Sequence, residues 1–298
     1  MGGGSWSDKA FDTYTRSTKI GYTATSYAVA DDLSVQEIFK QKTIHKNLDP
    51  RNIIRECCDS EEHPNTFPVI LALDVTGSMG QAAVKTAQKL NEIMTNLYAD
   101  KSLPDIEFCV MGIGDISYDR YPIQMSQFES DIRIAEQLDQ IYFEFGGGGN
   151  SYESYTAAWY MGVNHCKLDC WKRGKKGLII TMGDELPNPY LPKDSGRYTY
   201  GLAGITSDKL QDDVDTNNLL KETLEKFNVY HLSIDDDSSS YRYYKRTHNI
   251  DQAWEKLLGD NYSVCTLNNL AKTITDIIIK NSQDTNNVNI NNADEISW

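Results

Sequence analysis

Residues 67 to 80, Phe-Pro-Val-Ile-Leu-Ala-Leu-Asp-Val-Thr-Gly-Ser-Met-Gly, set five consecutive apolar side chains, Val69 to Leu73, directly ahead of Asp74, Thr76 and Ser78. A short unbroken apolar run is the pattern of a strand covered on both faces of a parallel sheet. From Gln81 to Tyr98 the period changes: Ala83, Ala87, Leu90, Met94 and Leu97 recur at three- and four-residue steps, which predicts an amphipathic helix. Gly77 permits the sharp turn between the two elements. In an open α/β sheet the ligand crevice lies outside the carboxyl ends of the strands, so a carboxylate and two hydroxyls leaving this strand face a site rather than the core. Small hard cations favour such an all-oxygen environment, and Mg²⁺ in particular retains waters through which a nearby Asp acts.

The same alternation continues along the chain. Strands are expected at Ile106 to Ile113, Tyr121 to Met125 (an antiparallel edge), Leu178 to Met182, Val229 to Ile234 and Tyr262 to Cys265. Helices are expected at Ile132 to Ile141, Tyr155 to Val163, Asp208 to Phe227 and Leu267 to Ile279. This order predicts a doubly wound, mostly parallel sheet flanked by helices. The domain is expected over 67–282. Residues 1–66 are expected to form an amino-terminal arm and a helical extension over Ser34 to Cys58, interrupted near Asp49-Pro50, that packs on it, with Ser34 and Glu37 as a capping box. Residues 283–298, rich in Asn and Asp, are expected to be a mobile polar tail, with Trp298 a docking residue or a frayed end.

The formal net charge of -14 argues against nucleic acid, which demands clustered Lys and Arg. The compact basic runs are Lys172-Arg173-Gly174-Lys175-Lys176 and Arg242-Tyr243-Tyr244-Lys245-Arg246, read as a solvated loop and as a Tyr-rich contact surface. No apolar run approaches the roughly 20 residues of a membrane span, and the first residues lack the apolar core of a signal peptide. Six scattered cysteines in apolar surroundings fit a reducing compartment, and the expected location is cytoplasmic. The five histidines show no metal-ligand spacing. Asp235-Asp236-Asp237 reads as a charged turn, and the loop from Leu186 to Ile205 as a rim of the site.

Asp74-Val75-Thr76-Gly77-Ser78 resembles the first segment of the metal-ion-dependent adhesion site of von Willebrand factor type A domains, with Thr in place of the usual first Ser. Gly146-Gly147-Gly148-Gly149-Asn150-Ser151-Tyr152-Glu153 is similar to the Gly-Gly-Gly-Asp-x-Pro-Glu loop of one branch of that family, with Asn150 where the branch has Asp and Tyr152 where it has Pro. Gly177 to Asp184, a buried-strand pattern ending in Asp, resembles the third segment. The resemblance implies a Rossmann-like fold and a divalent cation, Mg²⁺ first and Mn²⁺ or Ca²⁺ as alternatives. The cation is held by Asp74, Thr76, Ser78, Asn150 or Ser151, and Asp184, the two Asp residues mostly through water. It implies a protein partner that offers Asp or Glu to the metal, and company with an ATPase or a larger assembly, rather than an enzyme. Asn150 or Ser151 capping the following helix is the plain alternative for that loop. Two rival readings remain: a scaffold with a vestigial metal site, and a hydrolase using Ser78 or a metal-activated water. Against the last, the turn lacks the Gly-x-Ser-x-Gly elbow and no His is placed as a base.

Overall fold

The computed structural model describes residues 6, 7, 9, 10, 13, 39–100, 102–144, 149–235 and 239–283. Most of the expected arm, the Ser34–Glu37 capping box, Gly146 to Gly148, Asp236 and Asp237, and the tail beyond Gln283 lie outside the described residues.

The apolar runs become the strands β1 (Thr66–Asp74), β2 (Asp105–Ile113), β3 (Ile123–Met125), β4 (Gly177–Gly183), β5 (Phe227–Asp235) and β6 (Tyr262–Thr266). They form one sheet in the order β6-β5-β4-β1-β2-β3, parallel throughout except for β3, which runs antiparallel at the edge beside β2. The helices are α1 (Gly80–Ala99), α2 (Arg133–Asp139), α3 (Ala157–Asn164), α4 (Thr216–Lys226), α5 (Ile250–Leu258) and α6 (Leu270–Gln283). Further helical turns lie at Gly201–Thr206 and Ser239–Thr247. Among the described residues no helix is long and apolar enough to cross a membrane.

Although β1 is apolar without a break, its side chains divide by parity, as strand geometry requires. Val69, Leu71 and Leu73 enter the layer that holds Met94 and Leu97 of α1 and Ile274 and Ile278 of α6. Ile70 and Ala72 enter the layer that holds Trp159 and Met161 of α3 and Trp254 of α5. A sheet buried on both faces therefore explains why alternation was absent from the sequence. The chain passes from β1 to β2 on one side and later returns to β4 on the other. The crevice of this doubly wound sheet consequently opens between the carboxyl ends of β1 and β4.

Three expectations need correction. The described part of the extension, 39–58, carries no helix: Pro50 lacks a backbone donor and Asn52 adopts a left-handed φ of 55°, either of which interrupts a helix. The segment instead works as an edge cover. The Leu48 carbonyl accepts from Met125 N at 2.9 Å, Arg55 Nη2 donates to the Met125 carbonyl at 2.6 Å, and Arg55–Cys57 pairs in parallel with Cys166–Leu168. His165 bridges this segment to Asp208, with Nδ1 2.9 Å from the Ile53 carbonyl and Nε2 2.7 Å from Asp208 Oδ2. The helix expected over Asp208 to Phe227 begins only at Thr216, because Val214–Asp215 pairs with Tyr190–Leu191 and Asp215 then caps the helix by accepting from Asn218 N at 2.9 Å. The last helix, expected over Leu267 to Ile279, runs Leu270–Gln283 and so ends four residues later than expected.

If 39–58 is integral to the fold, Leu48→Ala, at a fully buried position, costs about 2–5 kcal/mol in urea denaturation. Ile54→Ala, at a side chain 56 % exposed, changes stability by less than about 0.5 kcal/mol.

Candidate metal centre

β1 delivers Asp74 to the crevice, where it is only 1 % exposed. Its Oδ1 accepts from Thr76 N at 2.8 Å and from Thr76 Oγ1 at 2.6 Å, so the Asp-x-Thr spacing closes a local turn. Ser78 follows on the 3-10 turn Gly77–Met79 that leads into α1. Its side chain lies outside the described residues.

Asp184 leaves the end of β4 and is 6 % exposed. It is close enough to Asp74 to rank second only to burial among the causes that raise the Asp74 pKa. The structure therefore brings the first and third predicted segments together. Between them stands a residue the sequence did not single out as a site residue: the Tyr155 hydroxyl donates to Asp74 Oδ2 at 2.7 Å and accepts from the amides of Asp184 and Glu185, each at 3.2 Å. A Cβ on Gly183 would fall 2.0 Å from that hydroxyl, so a glycine there is a condition of the bridge.

The second predicted segment is placed differently from its expected role. Asn150 is exposed, and its Oδ1 accepts from Tyr152 N at 3.0 Å in a local turn. Ser151 is half-buried, and the Tyr244 hydroxyl donates to Glu185 Oε2 at 2.9 Å. Neither caps α3, whose N-cap residue is Thr156 and has no side-chain cap. What this loop sends inward is Glu153, 4 % exposed, with Oε2 buried and without a hydrogen-bond partner. The signal for it was present, since Glu153 occupies the Glu position of the loop quoted for the resemblance.

The loop after β2 adds two more buried acids. Asp119 Oδ2 accepts from Asp115 N at 2.7 Å, in space left by Gly114, while Asp115 Oδ1 accepts from Ser117 N at 2.7 Å and its Oδ2 has no partner.

Electrostatically the site is a well of carboxylates. Burial, then the Asp184 charge, raises Asp74. Burial, then Asp74, Asp119, Asp115 and Glu185 in turn, raises Glu153 well above the carboxylate range. Burial raises Asp115 and Glu185 and pushes Asp119 up to about 7. The donors are hard oxygens, and two buried carboxylate oxygens lack a partner, so the chemistry fits a cation of the Mg²⁺, Mn²⁺ or Ca²⁺ kind. Among the described residues no three Asp, Glu, His or Cys side chains are disposed to hold an ion by themselves, so hydroxyls and water must complete any shell.

Two outcomes follow from this geometry. Tyr155→Phe removes three hydrogen bonds from a fully buried position and costs roughly 1–3 kcal/mol in chemical denaturation. Because the raised acids bind protons more tightly in the folded chain, their contribution to stability is present below the unfolded value near 3.8 and is lost as pH rises through about 7. The melting temperature of chelator-treated protein should therefore fall between about pH 4 and about pH 7, and Asp119→Asn should flatten that slope.

No protein-family model matches the chain, and no curated protein matches it in sequence. Solved structures with a similar trace include the pilus adhesin SpaC of Lactobacillus rhamnosus GG in its open conformation (14 % identity, TM-score 0.48, 80 % of this chain and 33 % of that one). They also include the conserved hypothetical protein BatB of Bacteroides thetaiotaomicron (15 %, 0.40, 73 % and 100 %) and a von Willebrand factor type A protein of Catenulispora acidiphila (14 %, 0.38, 73 % and 43 %). The chain spans about a third of the length of the adhesin it resembles.

Proposed function

We propose that this chain is a protein-interaction module of the von Willebrand factor type A kind, in which a divalent cation at the crevice between β1 and β4 receives an Asp or Glu from a partner protein. The observation that carries this reading is the convergence of Asp74, Thr76 and Asp184 with Glu153, whose buried Oε2 has no hydrogen-bond partner among the described residues. Thr76, Ser78, Glu153 and Asp184 would hold the cation, with Asp74 acting through water. Asn150 and Ser151 stand on the same loop as Glu153 and would take part with it. A bound Mg²⁺ or Mn²⁺ supplies positive charge that a partner carboxylate completes.

The chain's own residues prepare the contact. Tyr155 holds the ends of β1 and β4 in register. The rim beyond Asp119 carries Tyr198, 54 % exposed, with the guanidinium groups of Arg120 and Arg197 5.4 and 5.3 Å from its ring centre. Tyr and Arg dominate the energetic centres of protein interfaces, so this rim suits a partner that brings a second acidic group. The roles of adaptor in a larger assembly, non-enzyme and intracellular protein belong to the same proposal. The six cysteines, all free thiols, suit a reducing compartment.

One observation favours a second reading, a metal-free scaffold. Both oxygens of Asp74 already accept hydrogen bonds from Thr76 and Tyr155. Calorimetric titration of Mg²⁺ and Mn²⁺ into chelator-stripped protein separates the two readings. The module requires saturable binding that Asp184→Ala abolishes, that Thr76→Ala weakens roughly tenfold, and that fades as protons compete below about pH 6. Heats that are absent, or unchanged by Asp184→Ala, establish the scaffold instead.

A further inference from the structure

The opposite end of the sheet, where the parallel strands begin, holds a polar cavity of about 530 Å³. Its wall includes Arg173, Lys175 and Lys176 from the loop before β4, Asn228 at the start of β5, and Asn281 and Gln283 at the end of α6. Arg173 is committed: it pairs with Asp59 and donates to the Thr66 carbonyl at 2.6 Å. Lys175 and Lys176 make no ion pair among the described residues. Burial lowers the Lys176 pKa, with Glu225 acting the other way. In a chain with net charge -14, two lysines beside a cavity that make no ion pair among the described residues are a reserve of positive charge.

The chain supplies a matching segment. Residue 283 lines the cavity, and the 15 residues that follow, 284–298, contain Asp284, Asp294 and Glu295 but no Lys, Arg or His. They also contain Val288, Ile290, Ile296 and Trp298, apolar groups suited to the cavity's Phe67 and Leu103. At about 3.3 Å per residue the segment reaches roughly 50 Å, more than enough to turn back across the groove from which it departs.

We propose that this groove is the docking site of the chain's own segment 284–298, with Asp294 and Glu295 paired to Lys175 and Lys176. Docking closes the amino ends of the strands and ties the end of α6 to the loop before β4. The same groove then takes an acidic segment of another chain only by displacing the resident one. This proposal stands apart from the metal reading, since it uses the other end of the sheet and no metal.

Zero-length carbodiimide cross-linking of the full chain, with peptide mapping by mass spectrometry, tests it. A mixture of isotopically light and heavy protein separates links within a chain from links between chains. The expected result is an intramolecular link from Lys175 or Lys176 to Asp294 or Glu295, reduced roughly tenfold by about 0.5 M NaCl. It should be lost in Lys175→Glu/Lys176→Glu and restored when Asp294→Lys/Glu295→Lys is added to that variant. Exclusively intermolecular links, links to another surface, no link, or a link insensitive to both salt and charge reversal would overturn the proposal. The salt series on the unaltered protein decides the matter even if the charge-reversed variants fold poorly.

Discussion

A carboxylate withdrawn from water at the end of the central strand is the constraint around which the carboxyl end of the sheet is organised. An ionised Asp74 in that position would be costly without partners, by several kcal/mol. The chain answers with a backbone amide and a hydroxyl from Thr76 on one oxygen and the Tyr155 hydroxyl on the other. Because Tyr155 also accepts from the amides of Asp184 and Glu185, the group that satisfies Asp74 fixes the separation of β1 from β4. What these bonds leave uncancelled is the repulsion from Asp184. The crevice therefore favours whatever removes negative charge, either a proton or a cation.

The support beneath this bridge is aromatic. Tyr155 meets His231 edge-on with ring centres 5.0 Å apart, and His231 stacks on Trp254 at 3.6 Å, while Trp254 Nε1 donates to the Glu185 carbonyl at 3.0 Å. Burial, and secondarily Lys245, hold the His231 pKa well below its ordinary value, so the ring is neutral and packs as an aromatic. Lys245 itself is held by Ser233 and Asp251, each at 2.7 Å. A column of neutral rings from three elements positions the acids above it without adding charge. Rigidity of this kind is what an oxygen-lined site needs if its donors are to be in place before a ligand arrives.

The parallel core was legible because burial on both faces writes itself as unbroken apolar runs, and β1, β2, β4 and β5 appear where those runs lie. Asp74 and Asp184 were legible for a related reason, as each is the first acid after such a run. Tyr155 was not, because nothing local distinguishes a tyrosine that bridges two strand ends from one that fills a core. Asp115 and Asp119 were hidden by the same limit, since their relation to Glu153 is set by the sheet and not by spacing. The extension over 39–58 misled through composition. Its apolar residues are spaced like a helix but are spent singly, Leu48 at the sheet edge and Phe39 against Phe143 at 4.7 Å. The helix start at Thr216 depended on Val214–Asp215 pairing with a segment more than twenty residues earlier.

Acids gather at the carboxyl ends of the strands, while Arg173, Lys175 and Lys176 stand at the amino ends beside Asp59 and Asp105. Helix dipoles favour this arrangement. In a parallel α/β sheet the helices that follow strands start near the carboxyl ends, as α1 does just beyond Asp74, and finish near the amino ends, as α6 does at Gln283. Acids are favoured at the first and bases at the second. Dipoles of this size, worth less than about 1 kcal/mol per exposed charge, do not account for the extent of it. Five acids that raise one another's proton affinity by burial and repulsion exceed what one helix terminus compensates. The surplus is stored as a demand for positive charge at one end of the molecule. At the other end, Lys175 and Lys176, which make no ion pair among the described residues, store a smaller demand of the opposite sign. Each demand would be met by a group from outside the folded core, which is the physical basis for proposing a site at both ends of the sheet.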